Sequence, residues 1–167
     1  MRVVFIRHAS AEPTGAGGDA GRKLTKAGRK EAQNTAKALL ALGVKLERVL
    51  TSPLDRAVET ARLTAEAHGG AEVEVVDFLA PPGDTPAMCE RLDELNEEGL
   101  GAVGLVGHAP SMDEFVARLA ADTDDVGTRM NKAGAACIEL PPAGSGDSPE
   151  LRWLMRRKQL AMLAEGA

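Results

Sequence analysis

The sequence predicts an α/β fold in which helices cover both faces of a mostly parallel sheet of about six strands. Short apolar runs rich in Val, Leu and Ile alternate with longer segments whose apolar residues recur at helical spacing. Clusters of glycine and proline separate most of these segments, as expected for surface loops. This alternation of strands and helices is typical of a three-layer α/β/α sandwich.

Six segments are predicted as strands, at residues 2–6, 48–51, 73–76, 102–106, 135–140 and 151–155. The first four are short and largely apolar, which suits the interior of a parallel sheet covered on both faces. A loop rich in Pro and Gly separates the last two strands, which indicates a hairpin. The sheet is therefore expected to be parallel at its centre and to end in a hairpin.

Helices are expected after each of the first four strands, beginning near residues 25, 52, 85 and 111. Thr25 fits the N-cap of the first helix. Ser52 and Pro53 fit the N-cap and the first helical position of the second. That helix runs to about His68, which precedes two glycines and is therefore expected at the surface near the helix C-terminus.

The size and composition of the chain predict one domain that spans residues 1–167. Hydrophobic residues make up 44% of the chain and charged residues 27%, an ordinary globular balance. A chain of 167 residues is long enough to bury a sizeable core. Aromatic side chains make up only 2% of the chain, so the core is expected to consist of aliphatic residues and methionine.

The charge and the cysteine content limit the partners and the compartment. A formal net charge of −5 disfavours nucleic acid and anionic membranes as general partners. No apolar run approaches the ~20 residues of a membrane span, and the first residues lack the layout of a signal peptide. Cys89 and Cys137 lie far apart without metal-type spacing. A reducing cytoplasmic setting is therefore predicted.

Basic side chains follow three of the predicted strands. Arg7 and His8 come directly after the first strand, Arg56 lies in the first turn of the helix after the second, and His108 follows the fourth. Because ligands bind at the carboxyl ends of the strands in an open α/β sheet, these side chains are expected to converge. Guanidinium groups, imidazoles and a helix N-terminus together suit a bound phosphate.

Four motifs in this order resemble those of the histidine phosphatase superfamily, the group that includes the phosphoglycerate mutases. The motifs are Arg7-His8-Ala9, Leu24-Thr25-Lys26-Ala27-Gly28, Ser52-Pro53-Leu54-Asp55-Arg56-Ala57-Val58-Glu59-Thr60-Ala61 and Gly107-His108-Ala109-Pro110. The resemblance extends from residue 1 to about residue 140. The short chain, with little inserted between the core elements, is most similar to the SixA-type phosphohistidine phosphatases.

This resemblance implies a phosphoglycerate mutase-like fold and a phosphatase that needs no metal or other cofactor. His8 would be the covalent nucleophile, because an unprotonated imidazole nitrogen can attack phosphorus and leave again. Arg7, Arg56 and His108, the last as an imidazolium, would hold the phosphoryl oxygens, since phosphoryl transfer depends on positioning and charge. Arg22 is a further candidate phosphate ligand, and a plain surface charge is the alternative interpretation.

The chain departs from the family pattern at two places. Many members have Gly where this chain has Ala9. The family's usual carboxylic acid, which protonates the leaving oxygen, is absent from its expected setting, and Asp84 is the candidate for that role. A phosphohistidine imidazole leaves more readily than an alkoxide, so the missing acid favours phosphohistidine on a protein as the substrate.

Two other functions stay open at this point. One is a phosphatase for small phosphomonoesters, whose partner would be a phosphorylated metabolite rather than a phosphorylated protein. The other is a module that binds phosphate without turnover, although such a module has no need of a nucleophile. The chain is predicted to be a monomer.

Overall fold

The computed structural model describes residues 1–123, 127 and 129–166. Within those residues the strands are β1 (Arg2–Arg7), β2 (Arg48–Thr51), β3 (Glu72–Val75), β4 (Ala102–Gly107), β5 (Ala135–Glu139) and β6 (Glu150–Met155). The helices are α1 (Lys26–Ala41), α2 (Asp55–Ala67), α3 (Thr85–Glu97), α4 (Ser111–Ala121) and α5 (Arg157–Glu165). None of these helices combines the length and the apolar character that crossing a membrane needs.

The strands form one mixed sheet in the order β3-β2-β4-β1-β5-β6. β4 lies between β1 and β2, β3 pairs with β2, and all of these pairs are parallel. β5 runs antiparallel to both β1 and β6. The mostly parallel sheet and the terminal hairpin predicted from the sequence are therefore confirmed.

The side chains of β1 alternate between two hydrophobic cores, one on each face of the sheet. Val3 and Phe5 pack with residues of α3 and α4 on one face. Val4 and Ile6 pack with residues of α1, α2 and α5 on the other. Successive strand residues point to opposite faces, so a continuous apolar run is needed where helices cover both. The predicted α/β/α sandwich is confirmed.

The second helix begins later than predicted. α2 starts at Asp55, and no side chain caps its first turn. Ser52 still belongs to the sheet edge, because its backbone N–H donates to Val106 O at 3.0 Å. The prediction of Ser52 as the N-cap is therefore wrong, whereas Thr25 caps α1 as predicted and accepts from Gly28 N at 2.9 Å.

Two further features differ from the sequence-based expectation. α5 was not expected, and it buries Leu160 in the core beside α1. His68 is buried rather than at the surface, with 3% of its area exposed. Its Nδ1 accepts from Leu46 N at 3.0 Å, and burial lowers the pKa of the ring. His68 thus joins α2 to the segment before β2.

Gly28 is required where α1 passes the loop that follows β1. A Cβ at Gly28 would lie 1.9 Å from Ser10 O, which is far inside van der Waals contact. Thr25 N donates to the same oxygen at 3.0 Å. The contact fixes the start of α1 against the residues next to His8, which explains the glycine of the Leu-Thr-x-x-Gly motif.

We expect Gly28→Ala to destabilise the protein. In an ordinary helix interior this change stabilises by about 1 kcal/mol. Here the added methyl group must displace the backbone at Ser10, and such overpacking costs about 1–3 kcal/mol. Urea denaturation followed by circular dichroism measures the change in the free energy of unfolding.

The matched control is Gln33→Ala on the exposed side of α1. It should change the free energy of unfolding by no more than about 0.5 kcal/mol. A Gly28→Ala variant as stable as the wild type would show that the close approach to Ser10 is not a constraint.

Candidate active site

The ends of three parallel strands meet at one edge of the sheet. His8 N donates to Gly107 O and Ser52 N donates to Val106 O, both at 3.0 Å. His8 and Ser52, which follow β1 and β2, are therefore bound to β4 by their backbone. The sheet itself brings the first, third and fourth sequence motifs together.

The His8 imidazole is held in one tautomer by its two ring contacts. Nδ1 lies 2.8 Å from Ala9 O, and only a protonated nitrogen can donate to a carbonyl. Nε2 accepts from Arg56 Nε at 3.3 Å. Burial lowers the pKa of His8 to about 3, with smaller contributions from His108 and Arg56. The ring is therefore neutral at pH 7, with the Nε2 lone pair facing Arg56.

The His108 ring lies beside that of His8, with the ring centroids 5.0 Å apart. Its Nε2 is 2.8 Å from Ser52 Oγ, while its buried Nδ1 has no hydrogen-bond partner among the described residues. Burial, followed by the charge of Arg56, lowers the pKa of His108 to about 4. Without a bound anion, His108 is thus neutral rather than the imidazolium expected beside a phosphate.

Arg7 is anchored at one end and unpartnered at the other. Its Nη1 donates to Met130 O at 2.8 Å, whereas its buried Nε has no hydrogen-bond partner within the described part of the chain. Met130 N donates to Asp113 Oδ1 at 2.7 Å, so α4 supports this anchor. Burial raises the pKa of Asp113. The side chain of Arg7 also contributes to lowering the pKa of both ring histidines.

Asp19, in the glycine-rich loop after β1, orients Arg56. Arg56 Nη2 donates to Asp19 Oδ2 at 2.9 Å and Nη1 to Asp19 O at 2.7 Å. Both terminal nitrogens of the guanidinium are thus engaged, and Nε is directed at His8. Hydrogen bonds from Arg22 and Arg56 lower the pKa of Asp19, which keeps it ionised. The sequence alone gives no signal for Asp19, because its role depends on a contact with a residue 37 positions away.

Arg22 reaches the site through Asp19. Its Nη1 donates to Asp19 Oδ1 at 2.8 Å and its Nε to Glu12 O at 2.6 Å. The loop is tied to α2, since Asp55 N donates to Ala20 O at 3.0 Å. Arg22 therefore helps to hold the Asp19 carboxylate, which in turn orients Arg56.

Thr60 connects the first motif to the third. Ala9 N donates to Thr60 Oγ1 at 3.2 Å, and the Thr60 hydroxyl donates to Arg56 O at 2.7 Å. The backbone of Ala9 is not in the left-handed region. An alanine is accommodated there although many family members have glycine. These contacts give the threonine of the Arg-Ala-x-x-Thr-Ala element a physical purpose.

Asp84 is exposed and caps α3. Its Oδ1 accepts from Ala87 N at 3.0 Å. The loop before it touches the segment after His108, because the Ser111 hydroxyl donates to Pro82 O at 2.6 Å. No described contact joins the Asp84 carboxylate to His8.

The arrangement offers an anion several donors around one neutral nitrogen. Arg7 Nε and His108 Nδ1 have no hydrogen-bond partner among the described residues, whereas Arg56 Nε donates to His8 Nε2. Each of the three can donate to phosphoryl oxygens when protonated. Across the described residues, no group of three or more His, Cys, Asp or Glu side chains is placed to hold a metal ion. The chemistry that this geometry suits is transfer of a phosphoryl group to and from an imidazole.

Comparison with known proteins agrees with this geometry. Residues 3–80 match the model of the histidine phosphatase superfamily, branch 1. The chain is 29% identical over 163 residues to phosphohistidine phosphatase SixA of Escherichia coli K12, covering 97% of this chain and 98% of that protein. It is 32% identical over 127 residues to a SixA homolog of Haemophilus influenzae, covering 71% of this chain and 77% of that protein.

A solved structure of the protein histidine phosphatase SixA complexed with tungstate superposes with a TM-score of 0.80. Its sequence is 29% identical, and the match covers 96% of this chain and 99% of that one. The chain therefore belongs to the histidine phosphatase superfamily and, within it, to the SixA type.

Proposed function

We propose that this phosphatase hydrolyses phosphohistidine in a signalling or phosphotransfer protein, without a metal ion, through a phosphohistidine intermediate on His8. The observation that carries the proposal is the neutral, buried His8 ring, whose Nε2 lone pair accepts from Arg56 Nε at 3.3 Å and becomes available for attack when that N–H turns to a phosphoryl oxygen. Arg7, Arg56 and His108 surround it as donors.

In the first step, Nε2 of His8 attacks phosphorus while the bond from phosphorus to the substrate nitrogen breaks. A phosphoimidazole that is protonated on its other ring nitrogen departs as a neutral imidazole, so this step needs no further proton. Charge on the equatorial oxygens is balanced by Arg7 and Arg56, which are cationic throughout. The bond between Nδ1 of His8 and Ala9 O stabilises the positive charge that forms on the ring.

In the second step, water attacks the phosphoryl group on His8. The bond from phosphorus to Nε2 breaks, its electron pair returns to Nε2, and the proton of the water passes to solvent. Inorganic phosphate is released, and His8 is again neutral. Since an imidazole is both nucleophile and leaving group, one side chain serves both steps.

The state of the carboxylates near the site favours a substrate whose leaving group is a nitrogen atom. Asp19 is held ionised by two arginines and is a poor proton donor. Asp84 stays a prediction for the general acid, and its Oδ1 is engaged in capping α3. An alkoxide needs protonation in order to leave, whereas a protonated phosphoimidazole does not. The similarity to SixA points to the same substrate class.

Turnover of four substrates tests the proposal. In the presence of EDTA, the wild type should release phosphate from a histidine-phosphorylated phosphotransfer protein with a higher kcat/KM than from phosphoserine or a sugar phosphate. Free phosphohistidine should also be hydrolysed, because the leaving group is the same. Faster turnover of the phosphoesters would contradict the phosphohistidine assignment, and loss of activity in EDTA would contradict metal independence.

His8→Ala provides the control for the covalent step. It should lower kcat by at least about 10³-fold, because the nucleophile is lost, while retaining the wild-type circular dichroism spectrum. Acid-labile ³²P should be trapped on the wild type after rapid quenching and should be absent from His8→Ala. A wild type that binds phosphate but never turns over would instead identify a binding module.

His8 and His108 should stay neutral at pH values well below those at which a free histidine becomes protonated. Burial lowers the pKa of His8 to about 3 and that of His108 to about 4, against about 6.5 for a free histidine. Nitrogen chemical shifts from NMR should show both rings neutral from pH 8 to about pH 5. Tungstate or phosphate should raise the pKa of His108, because a nearby anion stabilises the imidazolium.

The same lowered pKa values predict how stability depends on pH. Between pH 6.5 and about 4 the unfolded chain binds protons on these histidines and the folded chain does not. Their contribution to stability is therefore complete above pH 6.5 and is lost as the pH falls. Urea denaturation at pH 7.5 and 5.0 should show a smaller loss for a His8→Asn, His108→Asn variant than for the wild type.

Asp19→Asn should lower kcat/KM by about tenfold, because a guanidinium that loses its charged anchor is less well oriented. Its melting temperature should stay close to that of the wild type, since 64% of the Asp19 side chain is exposed. Asp147→Asn, in the exposed hairpin loop, is the matched control and should leave both values unchanged. An increase in activity for Asp19→Asn would mean that Asp19 competes with the phosphoryl group.

A further inference from the structure

A cationic cleft is lined in part by Arg7, and neither His8 nor His108 belongs to its lining. Its volume is about 520 Å³, and five of its seven lining residues are cationic: Arg7, Lys132, Arg156, Arg157 and Lys158. The other two are Asn131 and Gln159, so no carboxylate of the described residues lines it. This concentration of positive charge contrasts with the net charge of −5 of the whole chain.

Most of these cations form no ion pair within the part of the chain that the structure describes. Arg157 Nη1 lies 2.5 Å from Glu31 Oε1. Lys132, Arg156 and Lys158 form no ion pair with any described residue. Arg152, which does not line the cleft, is paired with Glu139 and Glu150. The unpaired charges repel one another, which favours binding of an anionic group.

The position of these cations within the fold does not stabilise the helix that carries them. Arg156 precedes α5, and Arg157 and Lys158 lie in its first turn, which contains no acidic residue. The N-terminus of a helix is the positive end of its dipole, so cations there are unfavourable by up to about 1 kcal/mol each. A binding role explains their presence, whereas helix stability does not.

We propose that this cleft docks an acidic surface of the phosphorylated protein substrate, an inference that rests on the proposed function. Arg156, Arg157 and Lys158 are exposed, which suits contact with carboxylates on a protein surface more than enclosure of a small metabolite. Electrostatic complementarity of this kind raises association rates and fixes the orientation of a partner. The site would thus recognise the protein as well as its phosphoryl group.

Arg7 connects the cleft to the phosphoryl site. It lines the cleft and also contributes to lowering the pKa of His8 and His108. An acidic partner bound to the cleft therefore lies next to the site where the phosphoryl group is transferred.

The double variant Arg156→Ala, Lys158→Ala tests this inference. Steady-state kinetics are measured on an acidic phosphotransfer protein carrying ³²P-phosphohistidine and on free phosphohistidine. For the protein substrate, kcat/KM should fall by at least about tenfold at low salt, because the electrostatic contribution to association is reduced. The decrease of kcat/KM with added salt should also become shallower than in the wild type.

Free phosphohistidine should be turned over within about twofold of the wild-type rate, because the phosphoryl site is intact. The melting temperature should stay the same or rise, as unfavourable charges leave the start of α5. Arg152→Ala is the matched control, an exposed arginine nearby that does not line the cleft. It should leave kcat/KM unchanged for both substrates.

Three results would overturn the inference, and they can be told apart. Equal kcat/KM for the variant and the wild type on the protein substrate would exclude the cleft and leave the proposed function standing. An equal loss on free phosphohistidine or on a small bisphosphate would identify a subsite for small anions instead. A wild type that hydrolyses no phosphohistidine protein would overturn the proposed function and the docking surface together.

Discussion

Burial keeps the His8 imidazole neutral, and the other groups of the site are arranged around that neutral ring. Because Nδ1 donates to Ala9 O, the lone pair lies on Nε2, the nitrogen that Arg56 approaches. A protonated ring would repel Arg56 and Arg7 and would have no lone pair to offer. The neutral ring therefore allows the cations to lie beside it, and their charge adds to the effect of burial in lowering the pKa of His8 to about 3. In the proposed function, an incoming phosphoryl group then meets positive charge and the His8 nucleophile at the same point.

The parallel register of β1, β4 and β2 supplies the geometry. Backbone hydrogen bonds hold the residues after β1 and β2 against β4, so the positions of His8 and Ser52 do not depend on side-chain contacts alone. One hydrophobic core packs on each face of the sheet, and alternate residues of β1 belong to each core. Side-chain hydrogen bonds add to this arrangement. Ser52 contacts His108, and Thr60 joins the loop at Ala9 to α2.

The cation Arg56 inside the site is paired with a carboxylate, whereas most cations of the adjoining cleft form no ion pair with a described residue. Arg56 is 7% exposed and is bound to Asp19, which balances its charge and fixes its orientation. Lys132, Arg156 and Lys158 line the adjoining cleft and have no such partner among the residues that the structure describes. A paired cation suits a position that must stay fixed, because the bond defines its geometry. Unpaired cations suit a surface that a separate anionic partner completes.

The sequence by itself determined the α/β sandwich and the order of its first strands and helices, because apolar periodicity and turn residues act locally. It also indicated which motif residues would meet, since the carboxyl ends of parallel strands lie at the same edge of the sheet. Only the tertiary structure decided that Asp19 anchors Arg56, that His68 is buried against Leu46, and that Ser52 contacts an imidazole rather than capping α2. These contacts join residues that lie far apart in the chain. Local sequence patterns do not show which distant residues will meet in the folded protein.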